Sequence, residues 1–334
     1  MSSKEIIFSG IAMLVSLLVT AFSTGLLIPK LKAHQFEQAI RDFGPQSHLK
    51  KQGTPSMGGI AMILGIVVST IVVSLIFFKR VSVKILVALL VMLLYAAIGF
   101  MDDYKKAIEK KSDGLSAKMK LLLQFLACVV FAIYCYKFNF GEATGFGYLH
   151  HVWIPFYGAV DFGIWYIPWV IFVMIAFTNS VNLTDGLDGL ASTVTAVVSF
   201  FMIIASLFSV MYGFSLAYGA VMGACIGFLL YNHYPAKIFM GDTGSMALGG
   251  IIASLAIMMH MEIFLAIAGL IYVCESLSVI IQVAYFKLTH GKRIFRMSPI
   301  HHHYELGGLK ETQIVFRFSL FTVVCCIIML LGIR

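Results

Sequence analysis

Ten long apolar blocks constrain this chain more than any other feature of it. They run over 6–28, 58–78, 85–101, 121–136, 164–177, 190–208, 214–231, 246–259, 263–286 and 314–333. A helical crossing of a bilayer core needs about 20 apolar residues. Lipid offers no partner to a backbone N–H or C=O, and the blocks lack the two-residue alternation of a transmembrane barrel, so each block predicts a helix. The expected fold is an all-α polytopic membrane protein, one domain over 1–334 with about ten transmembrane helices. The first block exceeds the apolar core of a signal peptide, and Pro29, Lys30 and Leu31 offer no small-residue cleavage site, so it is read as a span. Composition agrees: 60% of residues are hydrophobic and 12% charged, about half the charge of a soluble chain.

A net charge of +8 would suggest nucleic acid as the partner of a soluble protein. Here its distribution explains it better. If the ten blocks alternate, eighteen of the 24 basic residues fall on one side, in the connections after spans one, three, seven and nine. Basic residues mark the cytoplasmic side, which places both termini outside. Lys79, Arg80 and Lys84 run against the trend and are outnumbered. No nucleic-acid partner is expected. All six cysteines lie in or beside apolar blocks without C-x-x-C spacing, as packing residues do.

The longest outward connection, 137–163, contains an aromatic and β-branched run over 148–157, then Gly158 and a second short run, which reads as a small extracytoplasmic hairpin or as an interfacial aromatic belt. The inward connections, 29–57, 102–120, 178–189, 232–245 and 287–313, hold the residues with chemical potential.

Asp102 and Asp103 close span three. Two carboxylates at a helix C-terminus oppose the helix dipole, although Lys105 and Lys106 can neutralise them. The pair suits Mg²⁺ or a general base. Between spans five and six, Asn179 to Gly189 supplies Asn182, Asp185 and Asp188 with Gly186 and Leu187. Asp185 and Asp188 would share a face if that segment is helical. Before span eight, Asp242 reads either as an N-cap or as a Mg²⁺ ligand at a helix start where anions are favoured, and Asn232 lies near enough in sequence to join it. His301, His302 and His303 are consecutive, so their side chains diverge and a zinc site is not expected; phosphate binding fits better beside Lys292, Arg293 and Arg296. The segment 48–59, with Lys51 and Ser56, reads as an anion-holding loop or as a basic anchor with a turn. Glu275, Ser278 and Gln282 form one polar stripe inside span nine; a carboxylate there is a functional candidate by default, but the stripe is read as interhelical packing and hydrogen bonding because no second charge is evident nearby. Because the carboxylates cluster at span ends, a transporter with a midplane site is disfavoured.

In order along the chain, K-K-Q-G-T-P-S-M-G-G, M-D-D-Y, N-S-V-N-L-T-D-G-L-D-G-L, F-M-G-D-T-G-S and S-P-I-H-H-H-Y-E resemble the bacterial phospho-N-acetylmuramoyl-pentapeptide transferases, within the polyprenyl-phosphate N-acetylhexosamine-1-phosphate transferase superfamily. The resemblance covers nearly the whole chain. It implies a Mg²⁺-dependent transfer of phospho-MurNAc-pentapeptide from UDP-MurNAc-pentapeptide to undecaprenyl phosphate, giving lipid I and UMP for peptidoglycan. It implies a homodimer in the bacterial plasma membrane with its active site on the cytoplasmic face. By motif, Asp242 would be the Mg²⁺ ligand, with Asp102 and Asp103 beside it and one of them the base. Lys51, Gly186, Leu187, Asp188 and Phe239 would line the uracil pocket. Ser56, Asn182, Asp185 and Asn232 would flank the sugar–phosphate side, and His301 and His302 would face the diphosphate. Ser56 and Tyr304 depart from the commoner Thr and Phe but keep the local chemistry.

Overall fold

The computed structural model describes residues 3–34, 51, 53–109, 114–138 and 150–333. Ten of its helices are long and apolar enough to cross a membrane. In chain order they are α1 (Ser3–Ala33), α2 (Gly59–Phe78), α3 (Val83–Glu109), α4 (Ala117–Phe138), α5 (Tyr166–Thr184), α6 (Leu190–Phe208), α7 (Tyr212–Asn232), α8 (Gly241–Met258), α10 (Leu270–Leu288) and α12 (Glu311–Leu331). Among the described residues there are also two short α-helices, α9 (Glu262–Ala268) and α11 (Ile300–Glu305), and a 3-10 turn at Gly163–Trp165. The expected all-α polytopic fold with ten spans is what the chain adopts.

α8 is the axis of the bundle. Sixteen of its eighteen residues are buried, as an all-round apolar helix requires, and it packs against α3, α5 and α2. α1 packs along α7. There Gly219, Gly223 and Gly227 recur every four residues, and a Cβ on any of them would run into the α1 carbonyls of Ser9, Met13 and Leu17. Such small-residue faces let membrane helices meet backbone to backbone. The six cysteines are unbridged, five of them buried.

The expected hairpin is present. β1 (His151–Ile154) pairs antiparallel with β2 (Gly158–Asp161). The start of the aromatic run, Tyr148 and Leu149, lies outside the described residues. The hairpin is anchored on the end of α8: Trp153 donates its N–H to the His260 carbonyl at 3.3 Å, and its ring meets Phe264 of α9 edge-on.

Three expectations need correction. The ninth block is not one helix; it breaks at Gly269, leaving α9 and α10 separate. Asp102 and Asp103 do not end span three, because α3 continues to Glu109, where Lys105 and Lys106 keep it helical through i,i+4 pairs with Glu109 and Asp102. The dipole argument at those carboxylates therefore does not apply. Asp185 and Asp188 do not share a helical face: α5 runs past the end of its apolar block to Thr184 and stops at Asp185, so 186–189 is a turn, while Asn179 and Asn182 belong to the helix.

Candidate active site

The residues singled out by sequence gather at one end of the bundle, around the first turn of α8. Gly241 opens that turn with φ +73, a conformation suited to glycine. The preceding strand of chain is stitched to the 53–59 segment. Phe239 N–H donates to the Pro55 carbonyl at 2.8 Å, and Gly58 and Gly59 donate to the carbonyls of Phe239 and Met240, both at 2.9 Å. These bonds join two motifs some 180 residues apart and set buried Ser56 beside Gly241.

α8 has no side-chain cap of its own. Asp103 supplies one from α3. Its Oδ1 accepts the N–H of Asp242 at 3.0 Å, and its Oδ2 accepts the N–H of Thr243 at 2.8 Å and the Thr243 hydroxyl at 2.7 Å. Asp242 is thereby freed from capping and faces side chains from three other helices. Lys120 of α4 donates to its Oδ2 at 2.6 Å, Lys106 of α3 to the same oxygen at 3.2 Å, and Asn182 of α5 to its Oδ1 at 3.0 Å. Asn182 also donates to Ser245 at 2.9 Å. Asp102 pairs with Lys106 at 2.6 Å and accepts the N–H of Leu115 at 2.8 Å. Among the described residues, Asp102, Asp103 and Asp242 form a group whose ligand atoms lie within 4.8 Å of one another. An all-oxygen set suits a hard divalent cation such as Mg²⁺, and the two lysines partly offset its charge. Lys106 neutralises Asp102 as expected, whereas Lys120 was counted by sequence only for its sign. Lys120, near the start of a helix where cations are disfavoured, carried a readable signal.

A second cluster adjoins the first. Lys51 donates to Asp188 Oδ1 and to Glu311 Oε2, each at 2.7 Å. Burial alone would lower the Lys51 pKa, but the two carboxylates outweigh it and the net shift is upward. Asp188 Oδ2 accepts the N–H of Ala236 at 2.9 Å, and the adjacent Leu187 is buried. Asp185, half-buried, is pushed well above the usual carboxylate range, first by burial and then by the negative charges of Asp242, Asp103 and Asp188. Glu311 was missed by sequence, since an acid in the first turn of a helix is ordinary.

Asn232 does not join Asp242. Its Oδ1 accepts the N–H of Gly189 at 3.1 Å and its Nδ2 donates to the Ile238 carbonyl at 2.9 Å, so it ties two loops together. The histidines do not all diverge: the rings of His301 and His302 lie 4.2 Å apart, tilted by 57°, while their hydrogen-bond partners differ. His301 is buried and donates from Nδ1 to Glu275 Oε2 at 3.0 Å. His302 pairs with Glu305 at 3.2 Å. His303 Nδ1 accepts the N–H of Arg296 at 3.1 Å. The interhelical hydrogen bonding expected of Glu275 is thus present, and its partner is a histidine that sequence did not pair with it. His48, Lys50 and Gln52 lie outside the described residues.

Residues 85–260 match the family described as Glycosyl transferase family 4. Over nearly its full length the chain is similar to curated proteins named phospho-N-acetylmuramoyl-pentapeptide-transferase. That of Clostridium novyi (strain NT) is 42% identical over 318 residues, 95% of this chain and 94% of the relative. That of Staphylococcus carnosus (strain TM300) is 44% identical over 329 residues, 96% and 97%. That of Acetivibrio thermocellus is 44% identical over 312 residues, 92% and 90%.

Proposed function

Because the chain belongs to the phospho-N-acetylmuramoyl-pentapeptide transferases, we propose that it transfers phospho-MurNAc-pentapeptide from UDP-MurNAc-pentapeptide to undecaprenyl phosphate, releasing UMP and forming lipid I. The observation that carries this is the convergence of Asp102, Asp103 and Asp242 with two lysines at the first turn of α8.

An oxygen of the lipid phosphate attacks the phosphorus next to the sugar, and the bond to the bridging oxygen of UMP breaks. The reaction crowds negative charge, so positioning and electrostatics supply most of the catalysis. Mg²⁺ held by Asp242, with Asp102 beside it, would offset charge on the diphosphate. Asp103 has both oxygens engaged by α8, so its role is to fix Asp242. Asp102 is then the better-placed base toward the acceptor phosphate. Lys106 and Lys120 reach the same carboxylates and would turn toward phosphate oxygens once a cation takes their place. Lys51, Gly186, Leu187, Asp188 and Phe239 serve the uridine end. Ser56, Asn182 and Asp185 serve the sugar–phosphate side.

The positive-inside pattern supports a cytoplasmic site in the bacterial plasma membrane, where a soluble nucleotide and a lipid phosphate can meet. The same resemblance supports a homodimer, which the mass of the detergent-solubilised protein would test. A donor panel tests substrate choice: UMP release with UDP-MurNAc-pentapeptide and none with UDP-GlcNAc is expected, and the reverse preference would place the chain with a sister transferase.

A further inference from the structure

We infer that Glu275 is a positioning residue for His301, and that Glu275, His301 and Gly186 form one clamp that presents His301 Nε2 to the phospho-sugar of the donor. The inference rests on the transferase reading above and adds a residue to it.

Glu275 lies inside α10 and is fully buried. His301 comes from α11, is 1% exposed, and places Nδ1 3.0 Å from Glu275 Oε2. Against a carboxylate, Nδ1 carries the hydrogen, which leaves Nε2 as the nitrogen open to chemistry. A partner of this kind fixes ring rotation and tautomer, and stabilises the imidazolium formed when Nε2 takes a proton. The same nitrogen then suits an anionic phosphate oxygen.

Nε2 is buried and has no hydrogen-bond partner among the described residues. A buried polar atom left unpaired is costly, and such atoms persist where a ligand meets them. Its neighbour on that side is Gly186, where an added Cβ would overlap both Nε2 and Cε1 of the ring. Gly186 follows Asp185, whose carboxyl feels Asp242, Asp103, Asp188 and Lys51. The free edge of the imidazole thus faces the segment that links the acidic group to the Lys51 cluster. Three distant segments define its position: α10 from behind, the 185–189 turn in front, and α11 carrying the ring.

The test is UMP release under saturating acceptor by Glu275→Ala, Glu275→Gln and Gly186→Ala, with the Glu275 changes repeated in a His301→Gln background. Glu275→Ala is expected to lower kcat about 10- to 100-fold, with donor KM within about threefold. Glu275→Gln should recover part of the loss, since its amide oxygen can still accept from Nδ1. In the His301→Gln background, Glu275→Ala should cost less than about twofold more, because residues acting through one another do not add. Gly186→Ala probes the same ring from the opposite side and should also lower kcat. Wild-type kcat in Glu275→Ala, or a full additional loss in the double variant, would overturn the inference. If Glu275→Ala does not fold, wild-type kcat in Gly186→Ala would do so. Wild-type protein that releases no UMP would instead refute the transferase reading.

Discussion

The Asp103 carboxylate on α3 caps α8 from outside that helix, its Oδ2 accepting the backbone N–H of Thr243 at 2.8 Å. The helix that presents Asp242 is therefore started by a neighbouring span, and the start of α8 and the geometry of the site share the same Asp103 hydrogen bonds. Asp103→Ala would leave the buried Thr243 N–H unpaired, at a cost of about 1–3 kcal/mol. Thermal unfolding in detergent should show a lower midpoint for Asp103→Ala than for Asp103→Asn, which keeps one acceptor oxygen. Equal midpoints in the two variants would remove the capping role.

Lys120 approaches Asp242 at 2.6 Å, where a divalent cation would compete with it. Lys120→Met removes the competitor and also a charge that would face the diphosphate. Turnover should fall about 100-fold, while the Mg²⁺ concentration that gives half-maximal rate also falls. A rise in that concentration would show that Lys120 does not compete with the metal.

Lys51 holds Asp188 and Glu311 together. Lys51→Met would leave two neighbouring carboxylates without their cation, and unfolding should shift by about 3 kcal/mol; Glu311→Gln, which leaves one pair intact, should shift it less. The folded state binds the Lys51 proton more tightly than the unfolded chain. The contribution is therefore complete below the ordinary lysine value of 10.5 and is lost as pH rises through the higher folded-state value. The difference in melting temperature between wild type and Lys51→Met should stay flat from neutral to mildly alkaline pH and begin to narrow once the pH passes 10.5.

Asp242→Ala should fold with a near-native melting temperature, since α8 is capped by Asp103 and not by Asp242, and should lose turnover by more than about 100-fold. Substantial residual activity in a folded Asp242→Ala protein would take the metal role away from Asp242.

The spans were legible because apolar length alone reports them, and the hairpin because of the aromatic and β-branched run before Gly158, although the turn falls at 155–157 and Gly158 opens β2. The motif residues were legible because Asp and Asn are rare in so apolar a chain and the few present cluster at span ends. What escaped was decided by contacts between distant segments. Glu275 looked isolated in its span because His301 lies 26 residues away. Glu311 looked like an ordinary helix start because its partner, Lys51, is 260 residues away. The break at Gly269 and the extension of α3 to Glu109 escaped for another reason. Hydropathy marks where a helix may enter lipid, not where its backbone hydrogen bonds stop. Asn232 was placed by proximity in sequence beside Asp242, whereas its amide serves the backbone of two loops.

The most direct test is UMP release by the purified protein from UDP-MurNAc-pentapeptide and undecaprenyl phosphate, before and after chelation and again after Mg²⁺ is restored. UMP should appear only when donor, acceptor and Mg²⁺ are all present. Release that continues unchanged in chelated buffer, or that needs no lipid phosphate, would contradict the account.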